Sequence, residues 1–165
     1  MRYVRSIRSV FCVPAASLML AFMAQPAAAG FEEALKALQA NDMATAEKEL
    51  QPLVKERDPR AQFLLGFYVY GGGESKLLDV SKAAPLLLDA AERGYLPAMI
   101  PLAGAYAEGN GVPKSAFEAY KWVAIAERWN VPNAGAALEQ AARDLNPDEV
   151  AKAKAAALAY SFKSK

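Results

Sequence analysis

Along this chain, apolar residues recur three and four positions apart rather than every second one. Ala34, Leu35 and Leu38 do so in one stretch, and Leu50, Leu53 and Val54 in the next. That spacing lines one face of an α-helix, and the two-position alternation of a half-buried strand is missing. It predicts helices at 31–40, 42–56, 58–70, 80–94, 95–108, 115–129, 132–144 and 147–162. The last has a readable start, with Asn146 as N-cap and Pro147 in the first turn. Asp148 and Glu149 follow at the positive end of the helix dipole.

These helices repeat. Ala61, Ala98 and Ala134 open three segments, 37 and 36 residues apart. Leucine follows four residues later (Leu65, Leu102, Leu138), and alanine precedes by fifteen (Ala46, Ala83, Ala119). A proline stands just ahead of each opening (Pro59, Pro97, Pro132), where its fixed backbone suits a first helical turn. Four residues ahead stand helix terminators: Arg57, Gly94 and Asn130. Glycine and asparagine accept the left-handed conformation that closes a helix and arginine does not, so the first unit is expected to be the weakest. A helix pair cannot hide its apolar face alone, so such units stack into a solenoid. The alanines and Gly66 let helix backbones approach, while Leu65, Val69, Leu102 and Tyr106 fill the space between them. Ala153 falls on the outer part of the last helix in this register.

The first residues add an address. Arg2, Arg5 and Arg8 precede an apolar run from Val10 to Ala24, and small residues Ala27, Ala28 and Ala29 follow. A charged start, a short apolar middle and a small-residue exit make a secretory signal, with cleavage expected after Ala29. The run falls short of the roughly 20 apolar residues of a spanning helix, so membrane attachment is expected only through an uncleaved signal. The expected organisation is a signal over 1–29 and one repeat domain over 30–165. The domain divides into a cap at 31–57, repeats at about 58–94 and 95–130, and a degenerate last unit with terminal helix at 131–165.

Composition then narrows the chemistry. Of 19 basic and 18 acidic residues, three arginines belong to the signal, which leaves 16 against 18 and a net charge of −2. That balance lacks the basic excess of a nucleic-acid binder. The one cysteine, Cys12, lies inside the signal, and the chain has no histidine. Ser-His-Asp and Cys-His nucleophiles are therefore excluded, as is zinc held by histidine or cysteine. The carboxylate pairs Glu32/Glu33, Glu47/Glu49 and Asp148/Glu149 share no helix face. Gly109-Asn110-Gly111, followed by Lys114 and Ser115, has the composition of a phosphate cradle, but the repeat accounts for it as an interhelical turn. Gly71-Gly72-Gly73 reads as a flexible loop.

The unit from Ala98 to Ala126 resembles a Sel1-like repeat, a relative of the tetratricopeptide repeat. It carries the alanine, the leucine at Leu102, Tyr106, the Gly109-x-Gly111-Val112 loop and Lys121-Trp122 at the family's spacing. Ala103 replaces a usual glycine and Glu127 a closing alanine. The unit from Ala61 keeps Leu65-Gly66, Lys82-Ala83 and Ala90-Ala91, but has Val69 where tyrosine is usual. The resemblance implies an all-α, right-handed solenoid of antiparallel helix pairs, about eight helices in all. It implies further that a protein partner of the cell envelope is held in the concave groove, without catalysis or cofactor. Some exported members of the family are β-lactamase-like hydrolases, the alternative reading. Those are rich in cysteine pairs, which residues 30–165 lack. Family mapping puts the first helix of each pair on the groove. It selects Arg60, Phe63, Phe67 and Tyr70 in one unit, and Ile100, Gly104, Ala107 and Glu108 in the next. At i, i+4 and i+7, Phe63, Phe67 and Tyr70 share a stripe that suits either groove or core, with Tyr70 expected to be the most accessible. Trp122 is expected in the core, and Trp129 either against the next unit or exposed.

Overall fold

A computed structural model describes residues 26–72 and 75–163 of the chain. Most of the expected signal, up to residue 25, lies outside the described residues. Eight α-helices, and no strand among the described residues, follow one another: α1 (Pro26–Gln39), α2 (Met43–Lys55), α3 (Pro59–Leu64), α4 (Val80–Glu92), α5 (Met99–Glu108), α6 (Ala116–Arg128), α7 (Ala134–Ala141) and α8 (Pro147–Ala159). Short 3₁₀ turns lead into α5 at Leu96–Ala98 and out of α7 at Ala142–Asp144. α3 continues as a π-helix over Leu65–Tyr70, which the period of the sequence did not announce. α1 packs on α2, α3 with its π-helical continuation on α4, and α5 on α6, while α7 and α8 close against α6.

The helix ends explain why the boundaries fall where they do. Asp42, Asp58, Asp79 and Ser115 each cap a helix by accepting a backbone N–H of its first turn. Asn146 does so for α8 in a reciprocal capping box with Glu149, as the sequence predicts. At the other ends, Asn41, Arg57, Gly94 and Asn130 all have positive φ, between 54° and 82°. Each donates its N–H to the carbonyl three residues back, and the following residue donates to the carbonyl five back. That pair of bonds is a Schellman closure. Arg57 therefore adopts the left-handed conformation, at φ 61°, against the expectation drawn from its side chain. The closing bonds of the first unit hold it there.

The core divides in two. α1, α2, α3 and the start of α4 enclose Leu50, Leu53, Ala61, Leu65 and Val69, and α4 to α8 enclose Leu87, Met99, Leu102, Trp122 and Ile125. Phe63 packs against both clusters. The repeat alanines Ala46, Ala61, Ala83, Ala98, Ala119 and Ala134 are all buried, and Leu138 only partly so. Ala153 is also fully buried, at 0%, because α8 turns this face onto α6. Its placement on the outside of the last helix is thus corrected. Gly111 of the α5–α6 turn sits at φ 74°, and a Cβ there would lie 1.9 Å from the Val80 carbonyl oxygen. The turn is pressed against the start of α4, and only glycine fits.

Gly71 and Gly72 are likewise read differently in the structure. A Cβ on Gly71 would stand 2.8 Å from the Gly66 carbonyl, and one on Gly72 2.5 Å from that of Tyr68. Close backbone approach at the end of the π-helix, not looseness, calls for glycine at these two positions; Gly73 lies outside the described residues. α8 stops at Ala159, three residues short of the predicted end, and the chain continues extended.

Candidate functional site

The aromatic residues of α3 and its π-helical continuation form one cluster. Phe63 and Phe67 stack with centroids 5.4 Å apart and planes 8° from parallel. Tyr68 stands edge-on to both, 4.9 Å from Phe67 and 6.1 Å from Phe63. Tyr95, from the α4–α5 turn, tilts against Phe63 at 5.4 Å. Phe67 and Tyr68 remain 39% and 44% exposed, whereas Phe63 and Tyr95 are half-buried behind them.

Tyr70 has left this stripe. It is 4% exposed, and its hydroxyl donates to Glu47 Oε1 at 2.5 Å and accepts from Gln51 Nε2 at 3.1 Å. Burial, helped by the Glu47 carboxylate, pushes the phenol up to about 12. The π-helix is the reason. Seven residues on, at ~100° each, an α-helix would bring Tyr70 back to within ~20° of Phe63. A π-helix closes i→i+5 bonds and turns less per residue, so it carries Tyr70 away and brings Tyr68 toward Phe67. Tyr68 escaped the sequence reading because α-helical spacing places it off the stripe. No local residue pattern announces the π-helix.

Arg60 is exposed but engaged. Its guanidinium donates to both carboxylate oxygens of Asp58, at 3.1 and 2.6 Å, and its carbon lies 4.6 Å from the Phe31 ring centroid. The Arg60 hydrogen bond holds the Asp58 carboxyl below its usual range against the opposing effect of burial. The ion pair fixes Arg60 at the first turn of α3.

Phe67, Gly104 and Glu108 line one recess of about 220 Å³, walled by Ala83, Leu87 and Pro101. Glu108 is exposed and accepts from Asn110 Nδ2 at 2.5 Å. Gly104 also lines a second recess of about 210 Å³, with Ile100, Ala107, Ala137 and Ala141. A Cβ on Gly104 would meet nothing within 4 Å, so its surface is open. The two recesses share Gly104 and together form a groove with Phe67 at one end, a small-residue floor, and Glu108 at the rim, while Tyr68 stands exposed beside Phe67. Of the mapped positions, Phe67, Ile100, Gly104, Ala107 and Glu108 line these recesses and Phe63 stacks against Phe67, while Arg60 and Tyr70 line neither.

The remaining candidates have structural work. Trp122 is buried, and Trp129 is 50% exposed while packing on Phe162 at 5.6 Å. Glu47 receives Tyr70, and Asp148 and Glu149 lie in the first turn of α8, where Glu149 closes the capping box. Ser115 caps α6 instead of facing a phosphate. Among the described residues no cluster of histidine, cysteine, aspartate or glutamate is placed to hold a metal, and no helix is long and apolar enough to cross a membrane.

The sequence matches no family model and no curated protein. Its structure aligns with the crystal structure of a protective antigen present in uropathogenic Escherichia coli strains, described as displaying an SLR fold. The TM-score is 0.71 at 21% identity, over 79% of this chain and 29% of the antigen, so the chain spans less than a third of that protein's length. With its paired helices and recurring closures, the chain has the Sel1-like repeat fold, an all-α solenoid.

Proposed function

We propose that this protein is an exported adaptor that holds a protein partner of the cell envelope in the groove between Phe67 and Ala141. The observation that carries this reading is the half-exposed pair Phe67 and Tyr68, backed by Phe63 and Tyr95, beside an open floor at Gly104. Large rings held rigid at the mouth of a recess are what binding hot spots require. Tyrosine adds a polar tip to its apolar ring, so it is at ease both wet and covered. The floor suits close approach of a helix or an extended chain, since no side chain rises from Gly104. The helical-repeat fold favours binding over catalysis, because its groove presents surface rather than a convergent set of acid and base. Export is supported by the Arg2–Ala29 pattern.

One recovery experiment tests both parts. A tagged chain isolated from the envelope fraction should begin at Gly30 by mass spectrometry and bring a partner with it. Phe67→Ala with Tyr68→Ala should weaken capture by about 2 kcal/mol or more while the helical circular dichroism stays unchanged. A chain that keeps Met1 in the cytoplasm contradicts export. Undiminished capture by the folded double variant contradicts the groove.

A further inference from the structure

The segment beyond α8 contains neither glycine nor proline before its end, so nothing local stops the helix at Ala159. The chain leaves it all the same at Tyr160, with φ −71° and ψ 134°, and then runs as an extended peptide bound to the rest of the molecule. Tyr160 sets its ring edge-on to Trp122 at 5.2 Å, and Phe162 tilts onto Trp129 at 5.6 Å. The Phe162 ring also comes within 3.4 Å of where a Gly94 Cβ would stand, so the glycine that closes α4 is the floor beneath it. Lys163 donates its backbone N–H to the Glu92 carbonyl at 2.8 Å and its ammonium to the Glu92 carboxylate. Arg128 donates to the Ala157 and Leu158 carbonyls at the end of α8, at 2.6 and 3.3 Å, and Ala157 accepts the Tyr160 N–H as well. Two aromatic contacts, a main-chain hydrogen bond and an ion pair thus hold residues 160–163 in a cleft lined by Glu92, Gly94, Trp122 and Trp129.

We propose that this cleft is a second binding site, which takes an extended aromatic–x–aromatic–lysine segment of a partner protein, and that Tyr160–Lys163 is its tethered competitor. The bound tail itself states the chemistry: two rings one residue apart on Trp122 and Trp129, then a cation at Glu92. A short tether gives the tail an effective concentration in the millimolar range, so weak ligands stay out and a tighter segment displaces it. None of the cleft residues lines the groove described above, so the two sites stand or fall separately.

The probe is the synthetic peptide Ala-Tyr-Ser-Phe-Lys, residues 159–163, titrated into the full-length chain carrying Tyr160→Ala and Phe162→Ala. Trp122 and Trp129 report binding by fluorescence. The double variant is expected to bind saturably and the unaltered chain at least about tenfold more weakly, because its own tail competes. A peptide with both aromatics changed to alanine should not bind. Absence of binding by the folded double variant, or equal binding by the unaltered chain, overturns the proposal. Should the double variant lose its helical signal, Phe162→Ala alone frees Trp129 and the surface over Gly94, and it should bind the peptide more tightly than the unaltered chain; equal binding overturns the proposal. Glu92→Lys in the receptor should shift preference by about tenfold toward a peptide ending in glutamate. A preference unmoved by that exchange overturns the role of the lysine.

Discussion

At Tyr70, burial and the Glu47 carboxylate act on the same proton, and both favour keeping it on the phenol. The hydroxyl titrates at about 12 in the folded chain against an ordinary value of 10.0. The folded protein thus holds this proton over a pH range in which the unfolded chain has lost it. The stability gained is complete below pH ~10 and drains away as pH rises toward 12. Tyr160 titrates at about 12 as well, raised first by burial and then by Glu92 and Glu118, so it adds to the same alkaline loss. Tyr70→Phe should cost about 1 kcal/mol at neutral pH through two lost hydrogen bonds. It should also make the decline in melting temperature between pH 10 and 12 shallower, one contributor among several being gone, since burial raises Tyr95, Tyr106 and Tyr120 as well. A decline as steep as in the unaltered chain would show that the Tyr70 proton is not coupled to folding. Residue by residue, then, the π-helix turns an expected contact residue into a pillar of the first core. It gives Tyr70's place on the surface to Tyr68.

The helices owe their lengths to their ends more than to their interiors. Each Schellman closure needs one residue at positive φ, and the chain supplies asparagine twice, glycine once and arginine once. A side chain with a Cβ loses roughly 1–2 kcal/mol there. Arg57→Gly should therefore stabilise the protein by about 0.5–1 kcal/mol, after allowance for the greater freedom of glycine in the unfolded chain. Gly94→Ala should cost about 1 kcal/mol. Thermal melts of the two variants test the pair, and a loss of stability in Arg57→Gly would contradict the closure drawn for the first unit. These ends also mark what could be read in the sequence. Asn146-Pro147-Asp148-Glu149 and the recurring 57, 94 and 130 were visible because caps and closures depend on residues within one turn of each other. The π-helix, the early end of α8 and the burial of Ala153 were not, because each answers to a distant element. Gly66 lies against Ala83 and Leu87 of α4, Trp122 and Trp129 draw out the tail, and α6 covers Ala153.

Across the whole molecule, two small cores meet at Phe63, which touches both and stacks under Phe67. The ring that joins the two halves also supports the exposed end of the groove, so stability and recognition share one residue. Truncating Phe63 would confound the two, and for that reason Phe67 and Tyr68 are the informative positions. α-Helical spacing places Phe63 with Phe67 and Gly104 with Glu108, as the structure does. It failed at Tyr70, where the helix changes type. The central claim is that a partner lies on the surface of Tyr68 and Gly104. Replacing Tyr68 with a photoreactive phenylalanine analogue and irradiating living cells tests this most directly. Lys152, exposed on α8, provides the control position. A discrete cross-linked adduct is expected from position 68 and none from position 152; adducts from 152 alone, or equal adducts from both, would contradict a partner held in this groove.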